Sequence, residues 1–321
     1  MNRRAFLCAL GTAPWLAIAA SASGQEGLPR IGFLPANAEG MPFQQGFLQG
    51  LGELGYVEGT NLTIEWRRGK QTEFATLASE LVQKQVQVLV TVGTPAARAA
   101  MEATPTVPIV FLSGAPVSAG LAASIAHPGR NATGVSIISA ELYPKRLEYL
   151  HRLAPRARRI AYLMNPANPI AAPQLEAVQK AADALKLQIV QFDVRDPDEL
   201  DAALRAISSS GAKAVLIGGD AQIYSSMARI AQALRRARLP AISPYADQPG
   251  EGVLLSYGVN TRETGRKMAG YVDRILKGAK PGDLPVEQPT KFELTINLKT
   301  ANTLNLAVPQ SVLYRADRVI R

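Results

Sequence analysis

Residues 214–223 read AVLIGGDAQI, and their pattern is the clearest indication of the fold. A short apolar run, Ala214 to Ile217, is followed by two glycines, by Asp220 and by a helical stretch that starts near Ile223. An apolar run without alternation is typical of a parallel strand buried between two layers of helices. The stretch therefore predicts a strand, loop and helix unit of an α/β fold.

The same unit recurs along the chain, in one round over about 29–138 and another over about 158–246. Between the apolar runs lie stretches such as 175–185, whose apolar residues recur at helical spacing. The pattern predicts two doubly wound, Rossmann-like lobes. The further apolar runs that we expect as strands are Ile31–Leu34, Val86–Val92, Ile109–Leu112, Ile160–Met164, Ile189–Phe192, Val253–Leu255 and Leu294–Leu298.

The later elements are expected to return to the lobes, so that the chain crosses between them more than once and forms a multi-strand hinge. The first lobe is expected over 25–140 with about 250–280. The second lobe is expected over 141–249 with about 281–321.

The amino-terminal segment 1–24 has the order of a cleaved signal peptide. Arg3 and Arg4 precede an apolar run from Ala5 to Ala20, and small residues follow. The sequence leaves open the Sec and twin-arginine routes, and either predicts a periplasmic protein. The single cysteine, Cys8, lies inside the apolar run, so the processed chain has no thiol for a disulfide or a metal.

The charge balance is basic, with 35 Lys and Arg against 26 Asp and Glu and a net charge of +9. The basic residues are dispersed, or alternate with Leu and Ala as on the solvent-facing side of a helix. We therefore expect no nucleic-acid partner.

Candidate ligand-binding residues follow the ends of the predicted strands, because ligands of doubly wound sheets bind beyond the carboxyl ends of the strands. Two tyrosines that flank the late strand are further candidates, since their rings offer a flat surface. The candidates are Asn37, Thr94, Ser113, Asn165, Asp220, Tyr245 and Tyr257.

Each candidate also has a structural explanation. Thr94 before Pro95 would be a helix N-cap, and Asp220 is equally suited to cap the next helix or to pair with a ligand ammonium. Asn165 is typical of a turn. Tyr245 and Tyr257 are as well suited to packing in the hinge.

Signatures of catalysis are mostly absent from the sequence, although dispersed carboxylates could still form a site in three dimensions. His127 lies in a His-Pro-Gly turn and His151 on an arginine-rich helix face, without neighbouring metal ligands. No Gly-x-Gly-x-x-Gly follows the first strand, and no Walker loop or nucleophile elbow occurs. We expect neither an enzyme nor a bound cofactor or metal.

Four stretches resemble the ABC transporter substrate-binding protein family that includes tryptophan- and tyrosine-binding members. They are 107–136 (VPIVFLSGAPVSAGLAASIAHPGRNATGVS), 145–150 (KRLEYL), 255–258 (LSYG) and 275–294 (ILKGAKPGDLPVEQPTKFEL). The resemblance runs over nearly the whole chain after the amino-terminal segment.

The resemblance implies a type I periplasmic binding protein fold, closure of two lobes on a small solute, and delivery to a membrane permease with its ATPase. It implies that the loops at Asn37, Thr94, Ser113, Asn165 and Asp220 face the cleft. The family commonly has an acidic residue where this chain has Ala115, so a ligand amine would have to rely on Asp220.

The sequence thus predicts a monomeric solute-binding protein of an ABC importer, with aromatic amino acids as the first ligands to test. The alternative is a periplasmic sensing module that presents its ligand-bound form to a receptor or signalling partner. A fold by itself does not identify a ligand.

Overall fold

The computed structural model describes residues 27–35, 41–137, 140–247 and 252–321. These residues form two β-sheets, each packed between helices. The strands are β1 (Arg30–Leu34), β2 (Thr63–Trp66), β3 (Val88–Val92), β4 (Ile109–Ser113), β5 (Ala132–Ser136), β6 (Arg159–Met164), β7 (Gln188–Asp193), β8 (Ala214–Ile217), β9 (Ala241–Tyr245), β10 (Leu255–Val259), β11 (Glu293–Asn297) and β12 (Arg318–Ile320). The α-helices are α1 (Pro42–Glu53), α2 (Phe74–Gln83), α3 (Thr94–Ala103), α4 (Tyr143–Leu153), α5 (Ala171–Leu185), α6 (Leu200–Ser209), α7 (Ala221–Ser225), α8 (Met227–Ala237), α9 (Thr261–Leu276), α10 (Leu298–Thr303) and α11 (Gln310–Leu313).

The first sheet has the strand order β2-β1-β3-β4-β5, and its neighbouring strands are parallel. Helices α1 and α9 pack on one face, where Phe47 and Met268 are buried with Val90. Helices α2 and α3 cover the other face, where Leu81 and Ala97 pack on Leu89. Burial on both faces explains why β3 is a continuous apolar run.

The second sheet has the strand order β12-β11-β10-β9-β8-β6-β7. Its neighbouring strands are parallel except for β10 and β11, which are antiparallel. Helices α4 and α5 cover one face through Leu147 and Val178, and helices α6 and α8 cover the other through Leu204 and Ile230. The two lobes of the predicted α/β fold are therefore present.

The late segments are divided between the lobes differently from the expectation. Strand β10, expected in the first lobe, pairs with β9 and β11 in the second sheet. Helix α9 does pack on the first lobe, because its apolar stripe covers the face beside α1. Val286 and Glu287, expected in the second lobe, also belong to the first: Val286 is buried in its core and Glu287 pairs with Val135.

The chain passes between the lobes after β5, between β10 and α9, and between Glu287 and β11. Connections of this kind, close to the ends of strands, let two rigid lobes rotate about a few backbone torsions. The expected signal peptide at 1–24 lies outside the described residues. No helix within the described residues has the length and apolar character needed to span a membrane.

Candidate functional site

A cavity lies between the lobes, where the carboxyl ends of strands from both sheets meet. Its location is where ligands bind in doubly wound sheets. The apolar and aromatic lining residues are Phe43, Val92, Leu112, Ile137, Ile170, Ala221, Tyr224 and Tyr245. The remaining lining residues are Gly93, Thr94, Gly114, Asn168, Gly219, Asp220 and Thr261.

Asp220 is a buried carboxylate at the second-lobe wall of the cavity, with 5% of its surface exposed. It is the N-cap of α7, and its Oδ1 accepts from the backbone amides of Gln222 at 2.8 Å and Ile223 at 3.1 Å. Its Oδ2 accepts from the side-chain amides of Asn168 at 2.8 Å and Asn165 at 3.1 Å. Burial raises the pKa of the Asp220 carboxyl, and these four hydrogen bonds oppose that shift.

The two asparagines that reach Asp220 come from the loop after β6, and each is fixed by that loop. The side-chain oxygen of Asn165 accepts from the amide of Ala167, and that of Asn168 accepts from the amide of Ile170. The loop backbone therefore orients both side chains, with their nitrogens directed at the carboxylate.

The backbone of the loop that carries Asp220 is held by buried polar side chains. The Tyr143 hydroxyl accepts from the amide of Gly219 at 2.7 Å, and Gln174 Nε2 donates to the carbonyl of Gly219 at 3.1 Å. The Tyr245 hydroxyl donates to the carbonyl of Asp220 at 3.1 Å. Such a network makes this wall of the cavity rigid.

The first-lobe wall contains Thr94 and Ser113, both 1% exposed, whose hydroxyl oxygens are hydrogen-bonded to each other at 2.8 Å. Thr94 is the first residue of α3, and the N-cap position that we expected for it is occupied by Gly93. Gly93 has a φ of 98°, which a residue with a side chain rarely adopts. The glycine thus lets the chain turn sharply from β3 into α3.

Tyr224 and Tyr245 form the aromatic part of the lining, with ring centroids 4.5 Å apart in an edge-to-face arrangement. The Tyr224 hydroxyl is hydrogen-bonded to Thr261 Oγ1 at 2.6 Å, and Thr261 in turn donates to Asp247 Oδ2 at 2.6 Å. The polar ends of these side chains are therefore engaged by protein groups, while the rings face the cavity.

The structure does not bring Tyr257 to the cavity. Its ring packs edge-to-face on Tyr149 with centroids 5.3 Å apart, and its carbonyl oxygen accepts from the buried Arg146. Tyr257 lies on the face of β10 that packs on α4, as the alternation of a strand requires.

The lobes contact each other around the cavity. Lys70 Nζ of the first lobe lies between Asp196 and Asp198 of the second. Gln71 Nε2 donates to the carbonyl of Ala167, and the Gln71 side-chain oxygen accepts from Asn165 at 3.0 Å. The structure therefore shows the lobes in a closed arrangement.

Among the seven predicted site residues, Thr94, Asp220 and Tyr245 line the cavity, and Ser113 and Asn165 are bonded to lining residues. Asn37 lies outside the described residues. Sequence reasoning missed Tyr224, Thr261 and Asn168. Asn168 follows a predicted strand and could have been found by the rule that identified Asn165, whereas Tyr224 and Thr261 are on helices and carry no such signal.

His127 and His151 are not among the residues that line the cavity, and His151 lies in the last turn of α4. Over the described ranges, no three His, Cys, Asp or Glu side chains are grouped so that they could hold a metal ion.

Comparison with known proteins places this geometry in a family. Residues 40–320 match the model of the family described as "ABC transporter substrate binding protein". A curated relative is the tyrosine-binding protein of Clostridioides difficile, 27% identical over 269 residues that make up 82% of this chain and 76% of the relative.

Two solved structures share the arrangement of the lobes. A conserved domain protein of Vibrio cholerae has a TM-score of 0.82 and 27% identity over 91% of this chain and 100% of its own. An ABC domain in complex with L-Trp from Streptococcus pneumoniae has a TM-score of 0.80 and 26% identity over 92% of this chain and 100% of its own. The fold is that of the type I periplasmic binding proteins. The chain belongs to the ABC transporter substrate-binding protein family.

Proposed function

We propose that this chain is the extracytoplasmic component of an ABC importer and captures a small solute between its two lobes. The observation that carries the proposal is the cavity itself, which takes its lining from both lobes and lies beside direct contacts between them. Such a site is completed only when the lobes close, so binding and closure are coupled.

The lining favours a solute with an aromatic or branched apolar body. Phe43, Tyr224 and Tyr245 offer ring surfaces, and Leu112 and Ile170 complete an apolar environment. The relatives support the same class of solute, because one is a tyrosine-binding protein and the structure of another was solved in complex with L-Trp. Aromatic compounds, beginning with the aromatic amino acids, are therefore the ligands to test first.

Delivery would be to a membrane permease and its ATPase, which this family membership implies. We propose that the protein acts as a monomer, because a clamp that opens and closes needs both lobes free to move. We also propose that the segment 1–24 directs export and is then cleaved. The protein carries out no reaction on its solute.

The experiment is a solute screen on the processed protein, purified from the periplasm of an expression host. Mass spectrometry of the purified protein determines the cleavage site. A solute that binds the folded state raises the melting temperature with increasing concentration. Small-angle scattering with and without each hit then measures closure through the radius of gyration. Hits that bind without reducing the radius of gyration would contradict capture by two closing lobes.

A further inference from the structure

We propose that the end of the second lobe that is remote from the cavity docks on the anionic headgroups of a phospholipid membrane. Five exposed basic residues define this surface, which we call the basic end: Arg156, Arg158, Lys213, Arg236 and Arg238. None of the five is among the residues that line the cavity. Membrane docking is therefore a role separate from solute capture.

The basic end lies where parallel strands of the second sheet begin. Arg158 directly precedes β6, Lys213 directly precedes β8, and Arg238 lies three residues before β9. The cavity lies at the opposite, carboxyl ends of these strands. The six residues of β6 span about 20 Å. A membrane at the basic end would therefore leave the cleft open to solute.

Two basic stretches that are far apart in the sequence meet at this end. Residues 152–158 precede β6 and residues 235–238 precede β9. Strand β8 lies between β6 and β9 in the sheet, which places Lys213 between the two stretches. The backbone amide of Lys213 donates to the carbonyl of Arg159 at 2.9 Å. The fold thus concentrates basic residues that are dispersed in the sequence.

The positive charge of this end is not balanced by nearby acids. A surface groove here has four basic lining residues, Arg152, Arg156, Lys213 and Arg238, and none of its lining residues is Asp or Glu. Arg152 pairs with Glu148, whereas the other three form no ion pair with any residue that the structure describes. A surface with charge of one sign attracts an oppositely charged partner.

Basic residues at helix C-termini also stabilise their own helices, because the last carbonyl groups carry partial negative charge. This effect explains Arg236, which lies in the last turn of α8. It does not explain Arg158 or Lys213, since each directly precedes a strand and the effect falls off within the last turn of a helix. Helix stability therefore accounts for only part of the basic end.

The shape of the surface favours a plane of phosphates over a single anion. Its cations are long, exposed side chains at the starts of three strands, and the helix carbonyl ends nearby disfavour an anion held close to the backbone. The groove also has apolar lining residues, including the half-buried Leu304 and Leu306. An anionic bilayer offers both a layer of phosphates and an apolar layer beneath it.

Arg238 makes it possible to separate charge from stability. It is the C-cap of α8 and has a φ of 53°, a left-handed conformation in which glycine is favoured. Its backbone amide, which bonds the carbonyls of Leu234 and Arg235, is also present in glycine. Arg238→Gly therefore removes the charge and keeps the end of the helix.

The test is cosedimentation of the processed protein with phospholipid vesicles. We expect binding to phosphatidylglycerol vesicles to be at least about tenfold tighter than binding to phosphatidylcholine vesicles. The preference should disappear at about 0.5 M salt, where exposed charges are screened. Equal binding to the two lipids, or a preference that persists in salt, would overturn the proposal.

Inorganic phosphate distinguishes a membrane surface from a site for one anion. At equal ionic strength, phosphate should displace the protein from phosphatidylglycerol vesicles no more than chloride does, because many phosphates are contacted at once. Stronger displacement by phosphate would show a site for a single anion and would overturn docking on a membrane.

A double variant locates the surface. Lys213→Gln with Arg238→Gly should weaken binding to phosphatidylglycerol at least about tenfold, since each basic residue near an anionic surface contributes. The control is Arg98→Gln with Arg130→Gln, which removes the same charge from exposed residues of the first lobe and should weaken binding less than about twofold. Equal losses in the two double variants would show that net charge acts, against a role of the basic end.

Two further measurements keep the outcomes distinct. The melting temperature of each variant shows that it is folded, and Lys213→Gln alone, at an exposed position, should give part of the loss of binding. Wild-type binding to this lipid with no loss in any basic-end variant would overturn the proposal. A protein that binds vesicles as expected but captures no solute would contradict only the proposed function.

Discussion

Lys70 Nζ of the first lobe lies 2.6 Å from Asp198 Oδ2 of the second lobe. The same nitrogen lies 3.1 Å from Asp196 Oδ1, and the carboxylates of Asp198 and Asp196 raise the pKa of Lys70, so it is charged at neutral pH. These pairs form only when the lobes are closed. They connect the rim of the cleft without contacting the cavity lining.

Lys70→Ala should therefore weaken solute affinity by about twofold to fivefold, because an exposed ion pair contributes little and this one contributes only to the closed state. The loss should disappear at 0.5 M salt, where exposed pairs are screened. Calorimetry at low and high salt measures this loss of solute affinity. Lys145→Ala is the control, since Lys145 is as exposed as Lys70 but pairs with Glu148 within α4. Equal losses in both variants would contradict a role in closure.

Gly93→Ala should prevent full closure. A Cβ on Gly93 would lie 2.9 Å from the Cβ of Ala221 in the opposite lobe, and the φ of 98° is unfavourable for alanine. We expect solute affinity to fall at least tenfold, because the closed state is opposed by both strain and contact.

The control for Gly93 is Gly120→Ala. Gly120 also has a positive φ, 75°, but open space surrounds its Cβ position. Both variants should lose stability from backbone strain, of about 1–3 kcal/mol. Only the Gly93 variant should lose affinity and keep a large radius of gyration with solute present. Tight closure of the Gly93 variant would show that the lobes tolerate a side chain there.

The sequence predicts the strands where a continuous apolar run ends at a polar loop. The predicted ends at Leu34, Val92, Met164 and Ile217 agree with those of β1, β3, β6 and β8, because strands buried on both faces leave this plain signal.

Strands with weaker apolar character were not predicted. Strand β5 reads ATGVS and is held in place by the close approach of Gly134 to the backbone of Phe111. Strand β9 contains Pro244, which argues against an interior strand, yet it pairs with β8 and β10. These positions depend on neighbours that are distant in sequence.

The candidate site shows the same division between features that the sequence predicts and features that it does not. The strand-end rule identified Thr94, Ser113 and Asp220, because the topology of a doubly wound sheet fixes where its loops meet. The rule says nothing of Gln174 or Tyr143, which reach the Asp220 loop from helices α5 and α4. It also cannot show that Asp220 is saturated by internal donors, since that depends on the side-chain directions of two asparagines.

Asn168→Asp should make stability depend on pH. The substitution places a second carboxylate next to Asp220, whose carboxyl already has its pKa raised by burial. Two adjacent carboxylates raise the folded-state pKa of the pair further. A carboxyl whose pKa is higher in the folded state contributes its full stabilisation below the ordinary pKa of aspartate, about 4. This stabilisation is lost as the pH rises through the raised folded-state pKa.

Denaturant unfolding from pH 4 to pH 8 tests this, with Asn168→Ala as the control. Alanine also removes a donor that lowers the pKa of Asp220, but it adds no charge, so its loss of stability should grow with pH less than that of the aspartate variant. We expect the aspartate variant to be close to the alanine variant at pH 4 and about 3 kcal/mol less stable at pH 8. Parallel curves for the two variants would contradict close contact between residues 168 and 220.

Gly46→Ala tests how the late helix α9 is held on the first lobe. Helices α1 and α9 approach so closely that a Cβ on Gly46 would overlap the carbonyl group of Arg262. The substitution should lower the free energy of unfolding by about 1–3 kcal/mol, because the helices must separate. Gly52→Ala, in the same helix with open space at its Cβ position, should instead be neutral or stabilise by up to about 1 kcal/mol through helix propensity. Thermal unfolding of the two variants distinguishes packing from propensity, and a Gly46 variant as stable as the Gly52 variant would show that α9 is not docked as closely as the structure shows.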